Sequence, residues 1–289
     1  MRLDDFFLGL IYIAVFFILF YIGKWIYGLL HRDFNLNREL VENDNPAVAL
    51  SVTGYFAGLV LTLGGTVVGP SRGLSTDLLD LFFYGMLGII LLNLSTFFCD
   101  RVILHKFRVK DELIRDRNQG TGAVVFGTSL ASGFVLFGAI SGEGGSIWTA
   151  LVFWILGQLL LAVAAFVYNL ITSFDIQKEI EKDNVAAGIA FAGALISLGI
   201  IVGLAAEGDF VSWQENLTDF FTYSLVGLSA LPLLRTLTDR LLMPGVKLSH
   251  EIMGLKPDKS REEKGPNIGA AYIEAFAYIA GAFIIYWCI

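Results

Sequence analysis

Long runs of apolar residues, separated by short polar stretches, set the pattern of this chain. A helix needs about 20 mostly apolar residues to cross a bilayer, and these runs are too long and too uniformly apolar for barrel strands. We therefore predict an all-α polytopic membrane protein with eight transmembrane helices. The predicted spans are roughly 6–23, 46–69, 78–99, 120–141, 147–172, 185–206, 217–234 and 268–288.

The charges that flank the spans predict their orientation. Asp4 and Asp5 precede the first run, where a signal peptide would carry basic residues, so we expect a retained span. Lys and Arg mark cytoplasmic loops; here the connections after the odd-numbered spans hold nearly all of them, and the opposite side holds only Arg2 and Arg72. We expect a multi-pass protein of the bacterial inner membrane with both termini periplasmic or extracellular. The cations of the predicted cytoplasmic connections are Arg32, Arg38, Lys106, Arg108, Lys110, Arg115, Arg117, Lys178, Lys182, Lys247, Lys256, Lys259, Arg261 and Lys264.

Each of these connections carries the same short motif, and such repeats define an architecture. The motif opens with an aromatic residue or Val, places an aliphatic residue two positions later, and ends in Glu followed by Leu or Ile. Each connection then closes on Asn-x-small-x-small. The motif acids are Glu39, Glu112, Glu179 and Glu251, and the closing asparagines are Asn45, Asn118, Asn184 and Asn267.

A second level of duplication relates the two halves of the chain. The third span and its charged end, from Leu78 to Arg101, match the seventh, from Leu217 to Arg240, at one constant offset. We predict two units, 1–142 and 143–289, each made of two helical hairpins. Because each unit starts from the same side, the repeats should be parallel, with a pseudo-two-fold axis along the membrane normal. The fourth connection has a polar insertion, predicted as a loop, around Lys256 to Lys264.

The two-helix hairpin, the F-x-aliphatic-x-x-E connection and the Asn-x-small-x-small helix start resemble the domain of unknown function 350 family, the YjfL-like bacterial inner-membrane proteins. The resemblance covers essentially the whole chain as four hairpins in tandem. It implies a bacterial inner-membrane location and no established activity.

The four asparagines lie just before predicted helix starts. Asn is a favoured N-cap, because its side-chain oxygen accepts a hydrogen bond from a free N–H of the first turn, and Pro46 suits the first helical position. An alternative is that four helix N-termini converge and hold an anion. We favour the capping interpretation, because helix starts need caps in any protein.

Small residues concentrate in the even-numbered spans. Gly54 with Gly58 and Gly199 with Gly203 form G-x-x-x-G pairs, which allow helix backbones to approach closely in lipid. The odd-numbered spans are richer in Phe, Leu and Ile. We therefore expect the even spans at the centre and the odd spans facing lipid, with tight packing favoured over a pore lined by glycine.

Charged residues mark the ends of spans three and seven. The alternatives are interfacial anchoring with local ion pairs, which we favour, and a pair of gates at two depths. The residues are Asp80, Asp100, Arg101, Asp219, Asp239 and Arg240.

Arg235 and Glu274 lie inside spans seven and eight. Intramembrane charges are expensive and often functional, whereas the equivalent residues of the second hairpin, Thr96 and Val125, are uncharged. Since the two charges are present together and absent together, we predict that they form an ion pair. A structural pair is the favoured interpretation, and a transport site is the alternative.

Composition narrows the function classes. The chain is 55% hydrophobic and 16% charged, with a net charge of -7 and no single basic patch, which argues against nucleic-acid binding. The histidines lie in the connections, and no phosphate loop, metal cluster or mid-depth aspartate pair is present, so we expect no cofactor and no enzyme. The lipid bilayer is the expected partner, and the oligomeric state is left open. Two classes of function remain. One is a channel or transporter for an ion or small solute, and the other is a membrane scaffold or stress-response component that binds a cytoplasmic protein.

Overall fold

A computed structural model describes residues 3–32, 34–68, 71–255 and 265–288. Within these ranges every regular element is helical, and eight helices are long and apolar enough to cross a membrane. This confirms the predicted all-α fold with eight spans. The long helices are α1 (Leu3–Leu30), α2 (Pro46–Gly65), α3 (Leu74–Phe98), α5 (Gln119–Ile140), α6 (Ile147–Ile171), α8 (Val185–Ala206), α9 (Trp213–Leu237) and α11 (Ile268–Cys288), and the short ones are α4 (Val109–Ile114), α7 (Ile176–Glu181) and α10 (Leu248–Met253).

Three odd-numbered spans are longer than their apolar runs indicate. The first candidate span is Phe6–Leu30, and α3 and α9 continue through π-helical turns to give spans Leu74–Ile103 and Trp213–Leu242. The apolar runs end sooner because polar side chains follow, whereas backbone hydrogen bonding carries the helix past them. A further π-helical turn occupies Arg38–Glu42. The predicted insertion around Lys256 to Lys264 lies outside the described residues.

The helices alternate in direction, so the chain has two faces. One, which we call the connection face, carries α4, α7, α10 and the π-helical turn Arg38–Glu42. The other, which we call the terminal face, carries the loops after α2, α5 and α8. Neighbouring loops contact each other there, since the amide of Phe210 donates to the carbonyl of Glu143 over 2.8 Å.

The even-numbered spans form one row, in which α2 packs on α5, α5 on α8 and α8 on α11. The helices α2, α5 and α8 each carry a glycine nine residues after the closing asparagine that precedes the helix. That glycine faces a residue of the next helix in the row, which stands eight positions after the closing asparagine of that next helix. A β-carbon at any of the three would overlap the backbone of its neighbour. The three pairs are Gly54 with Phe126, Gly127 with Ala192, and Gly193 with Ala275.

The position of the even spans agrees with the prediction from their small residues. α8 is the most enclosed of the eight, and α5 and α2 follow it. α11 is only as enclosed as α6 and less enclosed than α3, because it stands at an end of the row and has a neighbouring even helix on one side only.

The row is open, which corrects the expected pseudo-two-fold axis. A two-fold rotation that exchanged the halves would place α5 on α11 and α8 on α2. The contact between α5 and α8 would then require an equal contact between α11 and α2. Instead α2 and α11 lie at opposite ends of the row. The same head-to-tail interface is used three times in succession, and an interface of this type closes into a ring only when its rotation permits.

The odd-numbered helices follow one another as a second row. α3 packs over α2 and α5, α6 over α5 and α8, and α9 over α8 and α11. Side chains join consecutive members, since the indole of Trp154 on α6 donates to the Ser95 hydroxyl on α3 over 2.8 Å. The aromatic rings of Phe153 on α6 and Phe220 on α9 lie 5.3 Å apart.

We predict that Gly188→Ala destabilises the protein by about 1–3 kcal/mol, because the added methyl group would meet the backbone of Gly120. Gly9→Ala is the matched control: nothing lies within 4 Å of its β-carbon position, and alanine is the better helix former. Thermal unfolding of both variants in detergent measures the difference. Equal unfolding midpoints for the two variants would show that the helices are not in backbone contact.

Candidate functional site

The closing asparagine of each connection has a dual role, which Asn118 illustrates. Its Oδ1 accepts from the amide of Thr121 over 2.9 Å and so caps α5. Its Nδ2 donates to the Glu112 carboxylate over 2.8 Å and to the carbonyl of Ile180, in the next connection, over 2.6 Å. One side chain therefore starts a helix, holds its own motif acid and binds the following repeat.

The same geometry recurs along the row. Asn45 caps α2 and donates to Glu39 and to the carbonyl of Leu113. Asn184 caps α8 and donates to Glu179 and to the carbonyl of Ile252. Asn267 caps α11 and donates to Glu251 in its own connection.

This arrangement leaves little room for an anion at the helix starts. The Asn118 oxygen already occupies an amide of the first turn of α5, and a carboxylate lies beside each cap. Burial raises the pKa of Glu112, and the hydrogen bond from Asn118 limits the rise. The motif acids therefore act as hydrogen-bond acceptors that fix the connections.

The charged residues at the ends of spans three and seven are not brought together. Asp80 forms an ion pair with Arg72 on the terminal face. On the connection face Asp239 accepts from the amide of Leu248 over 2.8 Å, at the start of α10. The guanidinium of Arg101 lies 4.9 Å from the centre of the Phe97 ring. Three of the predicted residues, Asp100, Asp219 and Arg240, are exposed side chains.

Arg235 and Glu274 lie in direct contact between α9 and α11, where a guanidinium nitrogen donates to the carboxylate. The exposed fraction is 6% for Arg235 and zero for Glu274. The second guanidinium nitrogen of Arg235 donates to the Ser249 hydroxyl over 2.8 Å. The Tyr168 hydroxyl donates to Glu274 over 3.2 Å. These extra hydrogen bonds offset part of the hydration that the buried pair loses. Among the described residues, none forms a hydrogen bond with the other carboxylate oxygen, Oε2 of Glu274.

The sequence did not indicate Tyr168 and Ser249, which form hydrogen bonds with the pair, or Tyr278, whose ring centre lies 6.1 Å from that of Tyr168. Tyr278 follows Glu274 by one helical turn and so shares its face, a signal that was available. Tyr168 comes from α6, and no spacing in the sequence connects it to α9 or α11. Its ring centre lies 5.7 Å from the Arg235 guanidinium.

One family model matches both halves of the chain and identifies the family. The model of the family described as Domain of Unknown Function (DUF350) matches residues 1–140 and again residues 144–289. The chain belongs to this family. A curated relative of this DUF350 chain, the UPF0719 transmembrane protein of Aquifex aeolicus (strain VF5), is 24% identical over 277 residues, which cover 94% of this chain and 96% of the relative. No solved structure matches the chain.

We expect Glu274→Leu alone and Arg235→Leu alone each to destabilise this DUF350 protein by about 3–5 kcal/mol, because each leaves a buried charge without its partner. Replacing both residues by Leu should cost much less than the sum. Thermal unfolding of the wild type, both single variants and the double variant in detergent completes the cycle. Simple additivity of the two single effects would mean that the charges do not stabilise each other.

Proposed function

We propose that this integral membrane protein is a non-conducting scaffold of the bacterial inner membrane, whose connection face binds a cytoplasmic protein. The observation that carries the proposal is the close packing at the junction of the two halves. Gly188 on α8 meets the backbone of Gly120, and Gly138 on α5 meets the backbone of Gly203. Backbone contact at both ends of this junction leaves no room for a permeation path there in the described part of the chain.

The connection face supports the binding part of the proposal. Lys106 pairs with Asp175 across two connections, and the asparagines join each connection to the next. These bonds hold the exposed charges of successive repeats in a fixed spacing, and a fixed charge pattern favours a specific partner. The excess of Lys and Arg on this face supports a cytoplasmic orientation.

A channel or transporter is the second candidate, and the buried pair of Arg235 and Glu274 favours it. Charges inside a membrane protein often mark the path of an ion or solute. Against it, both charges already have partners: Glu274 accepts from Arg235 and Tyr168, and Arg235 also donates to Ser249.

A photo-cross-linking amino acid placed at Arg115 or at Arg72 tests the scaffold in living cells. Both side chains are well exposed, at 70% and 61%, and they lie on the connection and terminal faces respectively. We expect a discrete adduct with a cytosolic protein from position 115 and none from position 72. An adduct from position 72 alone would reverse the orientation and the docking face.

Reconstituted vesicles separate the two candidate functions. The scaffold proposal expects ion and solute uptake no greater than that of protein-free vesicles. Uptake by the wild type that disappears in the double Leu variant of Arg235 and Glu274 would contradict the scaffold and establish transport.

A further inference from the structure

A cavity of about 560 Å³ lies in the N-terminal half, between α1, α2, α3, α4 and α5. Its volume falls within the range of ligand pockets. Part of its wall is buried and apolar, as at Val48 and Val125. Other lining residues, Leu30, Ile90 and Phe97, are more than half exposed on α1 and α3. The cavity therefore opens sideways, between two helices whose outer surfaces face lipid.

The duplication explains why this space is open. Thr96 corresponds to Arg235 at the constant offset between the halves. Val125 and Ser129 stand seven and eleven residues after Asn118, as Glu274 and Tyr278 stand after Asn267. All three smaller residues line the cavity. The space that the ion pair and a tyrosine ring fill in the C-terminal half is thus left open in the N-terminal half.

A basic rim adjoins the cavity on the connection face. A second cavity, lined by Arg101, His105, Phe107 and Arg108, shares Asp100 and Lys110 with the first. The Arg101 guanidinium stacks on Phe97, which lines the apolar cavity, and is held at its mouth. Among the described residues, neither Arg101 nor Arg108 forms an ion pair with a carboxylate.

We propose that this composite site binds one anionic phospholipid from the leaflet at the connection face. An acyl chain enters sideways between α1 and α3 and fills the apolar cavity, while Arg101 and Arg108 bind the phosphodiester. The charges are complementary, because among the described residues that line the rim Arg101 and Arg108 outnumber the one carboxylate, Asp100. Basic pockets between membrane helices are suited to anionic head groups. The proposal is independent of the scaffold function.

The C-terminal half supplies a matched control. Arg240 and Lys247 correspond to Arg101 and Arg108, but the space behind them is occupied by Arg235, Glu274 and Tyr278. General attraction of anionic lipid to basic residues would act equally at both places. A specific lipid-binding site would bind the lipid only where the cavity is open.

Native mass spectrometry of the full-length protein, titrated with phosphatidylglycerol or with phosphatidylcholine of the same acyl chains, tests the proposal. We expect one phosphatidylglycerol to bind the wild type more tightly than phosphatidylcholine. Arg101→Gln with Arg108→Gln should weaken phosphatidylglycerol binding by about thirtyfold. Arg240→Gln with Lys247→Gln should change it by less than about threefold.

Filling the cavity tests the acyl chain separately. Thr96→Phe should weaken binding of both lipids while leaving the basic rim intact. Ser129→Tyr, which introduces the residue of the C-terminal half, provides the same measurement if Thr96→Phe does not fold. Equal losses from the two charge-removal pairs, or unchanged phosphatidylglycerol binding in the cavity-filling variants, would overturn the site.

Discussion

Backbone contact between consecutive even-numbered helices is the constraint on which the rest of the structure depends. Lipid supplies no hydrophobic force between helices, so association depends on close packing and hydrogen bonds. Glycines at equivalent positions of α2, α5 and α8 permit that approach, and each meets the backbone of the following helix. The odd helices then occupy the grooves of the row and present their large side chains outward. The closing asparagines fix the same register at the connection face.

The sequence predicted the local features well because each has a local cause. Asn45 and Asn118 are recognisable caps from their place before a helix start, and the spans follow from the length of the apolar runs. The ion pair of Arg235 and Glu274 could be proposed because both charges are absent from the equivalent hairpin. Its tyrosine partner on α6 could not, since only the packing of odd helices over the row brings Tyr168 to that place.

The open row could not be read from the repeat alone, because equal repeats impose equal interfaces but do not fix the rotation between them. One signal was nevertheless present. Phe276 stands nine residues after Asn267, where the first three even spans have glycine. Phe276 and Trp287 are 63% and 75% exposed on α11, and side chains of this size prevent another helix from approaching as closely. The fourth repeat therefore ends the row, as capping repeats do in soluble arrays.

The two halves share a framework and differ in what fills it. Thr96, Val125 and Ser129 surround an open space, whereas Arg235, Glu274 and Tyr278 fill the equivalent one. Duplication thus kept the packing of the row, and substitution made the two interiors chemically different.

The distance between the ends of the row tests this architecture most directly. One spin label is attached to a cysteine introduced by Val68→Cys, just beyond α2, and the other to the native Cys288 of α11. Both positions are exposed on the terminal face. The substitution Cys99→Ala removes the other thiol. Pulsed electron paramagnetic resonance measures the distance between the two labels. An open row predicts a separation of three helix spacings, about 24–30 Å. A protein labelled at Cys288 alone is the control for contacts between chains. A separation near one spacing, about 10 Å, would mean that α2 and α11 are neighbours in a closed bundle and would contradict the account.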